Sequence, residues 1–170
     1  MKQTRPDFRQ FYFLEKYLFD VVGPRFLARI NSVDFFMIIA WKSNRAKTRV
    51  RDRLKRHANG NFSKAVVQIA RALSSAKTAR ERLELLMQDW GLRLPMASAI
   101  LTVLYPDEFT VYDYRFCEAL NRPYKDKSFP EYQSYKSEVI KNTPPNLSLR
   151  DRDRYLWGKS FWKHAKADAQ

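Results

Sequence analysis

A single cysteine, Cys117, stands among 170 residues. It can build no disulfide framework within the chain and no all-cysteine metal cluster. Histidine is almost as scarce, with only His57 and His164, which argues against a zinc site. Four glycines are too few for a disordered or low-complexity chain, and no internal repeat is visible. Long apolar runs are missing too. Phe35 to Trp41 is apolar but falls far short of the ~20 residues a membrane helix needs. The opening stretch MKQTRPDFRQ lacks the apolar core of a signal peptide, so a cytoplasmic protein is expected. Acid is short against base: 18 Asp and Glu face 32 Lys and Arg, for a net charge of +14. A polyanion is the expected partner. A ribosomal or membrane-surface protein would carry the same balance, so charge gives class and not function.

What is present suggests one helical domain, 1-170, with room for two lobes. Hydrophobic residues make up 45%, enough for a core. A first helix is expected to start at Arg5-Pro6 or Asp7, with Phe8, Phe11, Tyr12, Leu14, Leu18 and Phe19 facing inward. Gly23-Pro24 is expected to break the chain, with a short helix from Arg25 to Ile30 after it. Ser32 reads as the N-cap of a helix that buries Phe35, Phe36, Ile38 and Ile39. Trp41 at its end either covers the core or stacks on a base. From Arg45 to Arg56, seven cations (Arg45, Lys47, Arg49, Arg51, Arg53, Lys55, Arg56) face only Asp52, with Val50 and Leu54 turned inward. Such a run is usually a solvated face. The near absence of acids makes phosphate contact the competing reading.

Asn59-Gly60-Asn61 reads as a turn, followed by an amphipathic helix from Phe62 to Leu73. Thr78 with Glu81 fits a capping box, opening a helix that carries Leu83, Leu85, Leu86 and Trp90. Phe129 to Ile140 reads as a helix interrupted near Pro130, with Tyr132, Tyr135, Val139 and Ile140 inward. Thr143 to Asn146 is a break. Ser148 with Asp151 caps the last helix. Leu149, Tyr155, Leu156 and Trp157 are expected to dock it, with Phe161 and Trp162 completing that face. Few segments read as strands, so the fold class is all-α.

The stretch from Trp90 to Arg115, WGLRLPMASAILTVLYPDEFTVYDYR, carries the most information. Gly91 supplies a tight turn. Pro95 suits a first helical turn. Ala97, Ile100, Leu101 and Leu104 recur on one apolar face. Ala97, Ser98 and Ala99 keep the helix start thin, and its N-terminus suits a phosphate. Pro106 ends the helix. Phe109 to Tyr112 is extended and delivers Asp113 to a following helix that runs to about Leu120. By local rules Asp113 is an N-cap. Cys117 reads as a small buried hydrophobe.

Gly91, the run Ala97 to Leu101, and Pro106 to Asp113 with Arg115 resemble the helix-hairpin-helix DNA glycosylase superfamily. The resemblance implies two helical lobes sharing a cleft, with the hairpin and catalytic loop at about 78-120. It also implies N-terminal and C-terminal helices that pack together. The hairpin would grip a DNA phosphate through main-chain N–H groups near Gly91, Arg93, Ala97 and Ser98. Asp113 would be the catalytic carboxylate. The polar loop Lys42, Ser43, Asn44 would push a side chain into the duplex, beside Arg45. Trp41, Tyr112 and Tyr114 are candidates for the base pocket, and helical geometry lets only one of the two tyrosines face it. Arg115 is either a phosphate contact or a solvated charge; Arg49 and Arg53 are the phosphate candidates of the basic run.

Two positions depart from the family pattern. Arg93 stands where a second hairpin glycine is usual. Pro95 stands where bifunctional members carry a nucleophilic lysine, which favours simple hydrolysis over a Schiff base. The iron–sulfur cluster of some relatives needs four cysteines and is excluded. The expectation is therefore a monomeric, nucleoid-associated, monofunctional DNA glycosylase without metal or cofactor, excising a damaged or modified base. The alternatives are a non-catalytic duplex- or branched-DNA-binding protein of the same fold, and a basic RNA- or ribosome-associated protein.

Overall fold

The computed structural model describes residues 13–125 and 128–169. Phe8, Phe11 and Tyr12 of the expected first helix lie outside the described residues. Every regular element described is helical, and no strand occurs among the described residues. No helix among them is long and apolar enough to cross a membrane. The chain divides into two compact units, Met1–Ala70 and Arg71–Gln170.

The first unit begins with α1 (Leu14–Tyr17), a wide π turn (Leu18–Val22) and α2 (Gly23–Phe26) in one continuous run. Gly23-Pro24 does not break it. Gly23 is right-handed helical, and its N–H closes onto the carbonyl of Leu18. The wide turn shifts the hydrogen-bond register just before Pro24, which has no N–H to give. Pro24 then sits in the first turn of α2, and that helix ends at Phe26, short of Ile30. In α3 (Ser32–Lys42) the cap is Asn31, not Ser32: Asn31 is extended and its side chain accepts the N–H of Val33 at 2.8 Å. Ser32 is already helical, and its hydroxyl accepts instead from Ser63 at 3.0 Å.

Phe35, Ile38 and Ile39 are fully buried beside Leu18, Val22 and Phe26, while Phe36 is half-buried. The Phe35 ring lies 5.7 Å from that of Phe26. Buried Asp34 is held by Arg25 at 3.0 Å and by the Tyr17 hydroxyl at 3.2 Å, so its charge is not left unpaired in the interior. The basic run forms α4 (Lys47–His57), with Leu54 buried and Val50 half-buried. The boundary between the units falls inside α5 (Phe62–Ser75).

The second unit opens with α6 (Ala79–Glu84), which runs on through a π stretch (Leu85–Asp89). The capping box is present: Thr78 Oγ1 accepts the N–H of Glu81 at 3.1 Å, and the Glu81 carboxylate accepts that of Thr78 at 3.3 Å. α7 (Leu94–Leu104) buries Leu94 and every residue from Met96 to Leu104. The sequence suggested one apolar face; the helix is a core element packed on all sides. α8 (Tyr114–Ala119) is short. α9 (Phe129–Lys141) is uninterrupted, because Pro130 falls in its first turn, where no N–H is needed. Tyr132, Tyr135 and Val139 are buried, but Ile140 is exposed.

The last helix, α10 (Leu149–Asp168), differs most from expectation. Its Ser148 cap holds, with the N–H of Asp151 at 3.1 Å. Its buried face, however, is Arg152, Asp153, Leu156 and Ser160, and Tyr155, Trp157, Phe161 and Trp162 are exposed. Arg152 is buried because its guanidinium is filled with acceptors. It donates to the carbonyls of Leu147, Ile140 and Pro145 at 3.0, 3.0 and 2.7 Å, and to Thr143 Oγ1 at 2.6 Å. A cation satisfied in this way can replace an aromatic ring inside.

Candidate functional site

The candidate site in the second unit begins at the turn before α7. Trp90 N–H closes onto Leu85 at 3.3 Å and Leu92 N–H onto Leu86 at 3.0 Å, while Gly91 adopts φ 61°. That left-handed value suits glycine and strains a residue bearing Cβ. Arg93 is extended and exposed at the N-cap position of α7. The N–H groups of Met96 and Ala97 both point at the Arg93 carbonyl, at 2.9 and 3.0 Å. Ala97 and Ser98 are wholly buried. Their side chains face the interior of the unit, not an approaching surface, which departs from the thin, approachable helix start the sequence suggested. The reason is visible at Ser98. Its hydroxyl accepts the N–H of Tyr112 at 2.9 Å and lies 3.3 Å from the Pro95 carbonyl.

Tyr112 ends a buried extended stretch that has no sheet to pair with. Buried backbone groups must find partners, and here side chains supply them. The Tyr132 hydroxyl accepts the N–H of Thr110 and donates to its carbonyl, both at 2.9 Å. The Asp153 carboxylate takes the Thr110 hydroxyl and, at 3.1 Å, the N–H of Val111. The Tyr135 hydroxyl donates to the Val111 carbonyl at 2.6 Å. Three helices, α7, α9 and α10, thus clamp three consecutive residues. Arg150 lies 3.2 Å from Asp153, yet burial still pushes the Asp153 carboxyl up to about 6. Burial likewise raises the hydroxyls of Tyr132 and Tyr135.

Asp113 emerges from this clamp, extended and half-buried, and caps α8: its Oδ1 accepts the N–H of Arg115 at 2.9 Å. Tyr112 behind it is fully buried. Its ring stacks on Tyr124 at 5.2 Å, and its hydroxyl bridges the backbone of Lys125. Its side chain is therefore part of the buried packing of the unit. Tyr114 is exposed, with the Arg115 guanidinium 5.4 Å over its ring. Of the two tyrosines, Tyr114 is the one that can face a ligand. The Cys117 thiol is buried, and burial pushes it up to about 11, which suits a packing residue and not a nucleophile.

Compared with family models, curated proteins and solved structures, the chain finds no match.

The remaining candidates lie in the first unit. Trp41 is half-buried and meets Phe19 edge-on at 5.7 Å, so it covers that core. Lys42 ends α3. Ser43 follows as its C-cap, its N–H on the Ile39 carbonyl at 3.0 Å. Asn44 is exposed and accepts from Lys47. Arg45 and Arg49 are exposed and Arg53 is half-buried. An open cavity of about 600 Å³ is lined by Arg51 and Lys55 of α4 together with Asn59 to Ser63.

Sequence reasoning misses Asp153, Tyr132 and Tyr135 as residues of this site. A signal does exist for Asp153: Leu149, Asp153, Leu156 and Ser160 fall on one helical face. The alternating RDRDR charges mask it. Among the described residues, no group of three or more His, Cys, Asp or Glu could hold a metal ion.

Proposed function

We propose that the protein is a monofunctional DNA glycosylase of helix-hairpin-helix type. It hydrolyses the N-glycosidic bond of a damaged or modified base, with Asp113 as the catalytic carboxylate. One observation carries the proposal. A turn at Gly91, a core helix and an extended stretch lead in that order to a half-buried aspartate, and that stretch is clamped by side chains from three helices.

The chemistry follows from a fixed negative charge. Breaking a glycosidic bond builds positive charge on the sugar, and a carboxylate held against it lowers that barrier. The same group can orient or deprotonate the attacking water. Fixing Asp113 beforehand matters, because a donor or charge that must reorganise during the reaction loses most of its value. The base must leave the stack first, and exposed Tyr114 can form one wall for it. Accepting the Arg115 N–H at 2.9 Å fixes the Asp113 side chain in place, so capping and catalysis are compatible. The cationic face of α4 supplies the phosphate contacts.

The second reading is a DNA-binding protein of the same fold without catalysis. It is favoured by the cap itself, which accounts for Asp113 without any chemistry. The separating experiment incubates the protein with duplexes carrying alkylated, deaminated, oxidised or hypermodified bases and measures abasic sites. Release that Asp113→Asn abolishes while binding persists supports the enzyme. No release from any duplex, with binding of Asp113→Asn unchanged, supports the second reading.

A further inference from the structure

The outer face of α10 is the most unusual surface in the second unit. Tyr155, Trp157, Phe161 and Trp162 are 44%, 49%, 53% and 61% exposed. A cluster of large rings left in water marks a contact surface. Trp157 and Phe161 lie one helical turn apart on one flank of this face, and Tyr155 and Trp162 lie on the other. Gly158 sits between the two flanks, and a Cβ added there would meet nothing within 4 Å. The result is an open notch with rings on both sides.

Charge says what fits it. From Arg154 to Asp168 the helix carries Arg154, Lys159, Lys163 and Lys166 against the single acid Asp168. The neighbouring acids are Asp151, which holds Arg154 at 2.7 Å, and Glu118, which meets Lys163 at 3.7 Å and His164 at 3.0 Å. Lys166 lies 5.2 Å over the Trp162 ring. Lysine is depleted in protein–protein contacts, yet Lys159, whose ammonium also donates to the Ala119 carbonyl at 3.1 Å, Lys163 and Lys166 follow one another at roughly 4.5–6 Å intervals along the axis, beside the Tyr155 and Trp162 flank. The Trp157 and Phe161 rings are already parallel, 5.3 Å apart at 5°, so one outer ring face can continue the stack with a flat partner. Trp162 also walls a cavity of about 320 Å³ with Glu118, Asn121, Lys159 and Lys163, within the range of small-ligand sites.

We propose that this face is a stacking platform for single-stranded DNA: unpaired bases lie on the aromatic rings while the lysines follow the phosphates. Exposed rings beside a basic track are what sequence-tolerant single-strand binding requires. The choice of DNA over other polyanions rests on the functional reading above; the platform geometry does not.

The test titrates the full-length protein with oligothymidylate of roughly 12 nucleotides, followed by tryptophan fluorescence and by anisotropy at low and high salt. Binding that quenches tryptophan and weakens with salt is expected. Trp157→Ala with Phe161→Ala should lose about tenfold or more in affinity. Gly158→Leu, which fills the notch and leaves all four rings in the chain, should weaken binding while helix content by circular dichroism is unchanged. Unchanged affinity in both variants overturns the proposal. So does tighter binding of oligouridylate than of oligothymidylate. A wild-type dimer that Trp157→Ala with Phe161→Ala returns to monomer in sedimentation also overturns it, since the face would then belong to a second copy. If no damaged duplex loses a base but thymidylate still quenches, the glycosylase reading fails and the platform stands.

Discussion

Replacing Asp153 by asparagine should reshape the pH dependence of stability in an unusual direction. Most carboxylates lose stabilising value as pH falls. Burial does the opposite to Asp153, raising it from 3.8 to about 6. Its proton is therefore held more tightly in the folded chain than in the unfolded one. The associated stability is fully present below about pH 4 and is lost as pH rises through about 6. At ~1.4 kcal/mol per tenfold change, the whole effect is on the order of 3 kcal/mol, of which about 2 kcal/mol falls between pH 4 and pH 7.

The asparagine side chain would keep the shape and an oxygen acceptor for Val111 but has no proton to gain. Glu81, Glu118 and Asp151 are lowered by hydrogen bonds and cations. They act in the ordinary direction at lower pH and are shared by both proteins. Urea unfolding of wild type and Asp153→Asn across that range isolates the residue as a difference. The advantage of wild type over the variant should grow by about 2 kcal/mol as pH falls from 7 to 4. A difference that stays flat, or shrinks on acidification, refutes the reasoning that burial dominates over Arg150 at this carboxylate.

Tyr135→Phe removes the donor to the buried Val111 carbonyl and should cost about 1–3 kcal/mol in urea unfolding. Gly158→Ala, helical and with open space around it, should raise stability by up to about 1 kcal/mol; a loss would mean the position is not open. Arg49→Ala with Arg53→Ala should flatten the salt dependence of duplex binding by about 1.8 in the logarithmic slope if both touch phosphate. An unchanged slope removes α4 from the interface.

Features that rest on residues three or four apart were legible in the sequence. The Thr78–Glu81 box and the Ser148 cap form as expected, because such bonds close within one turn. The positive φ of Gly91 and the helical arrival of Pro95 are local for the same reason. Elements decided by distant partners were not legible. Arg152 and Asp153 went inside because acceptors at Thr143 and Pro145, and donors at Thr110 and Val111, waited for them. Those partners lie up to 43 residues away, beyond any helical period. Hydrophobicity alone assigned the inward face to Trp157 and Phe161, and the polar network took it. Gly23-Pro24 misled for a different reason: a π turn absorbed the proline, and composition carries no signal for that register shift. At the candidate site, the cap role of Asp113 followed from its residue type and position. The clamp that holds it came from three helices and was invisible in one dimension.

The proposed chemistry turns on the Asp113 carboxylate acting upon a sugar. The most direct measurement is the single-turnover rate of base release, for wild type and Asp113→Asn, on whichever modified duplex the wild type cleaves. The rate should fall about 10²–10⁴-fold with duplex affinity preserved. Equal rates in the two proteins would contradict the claim.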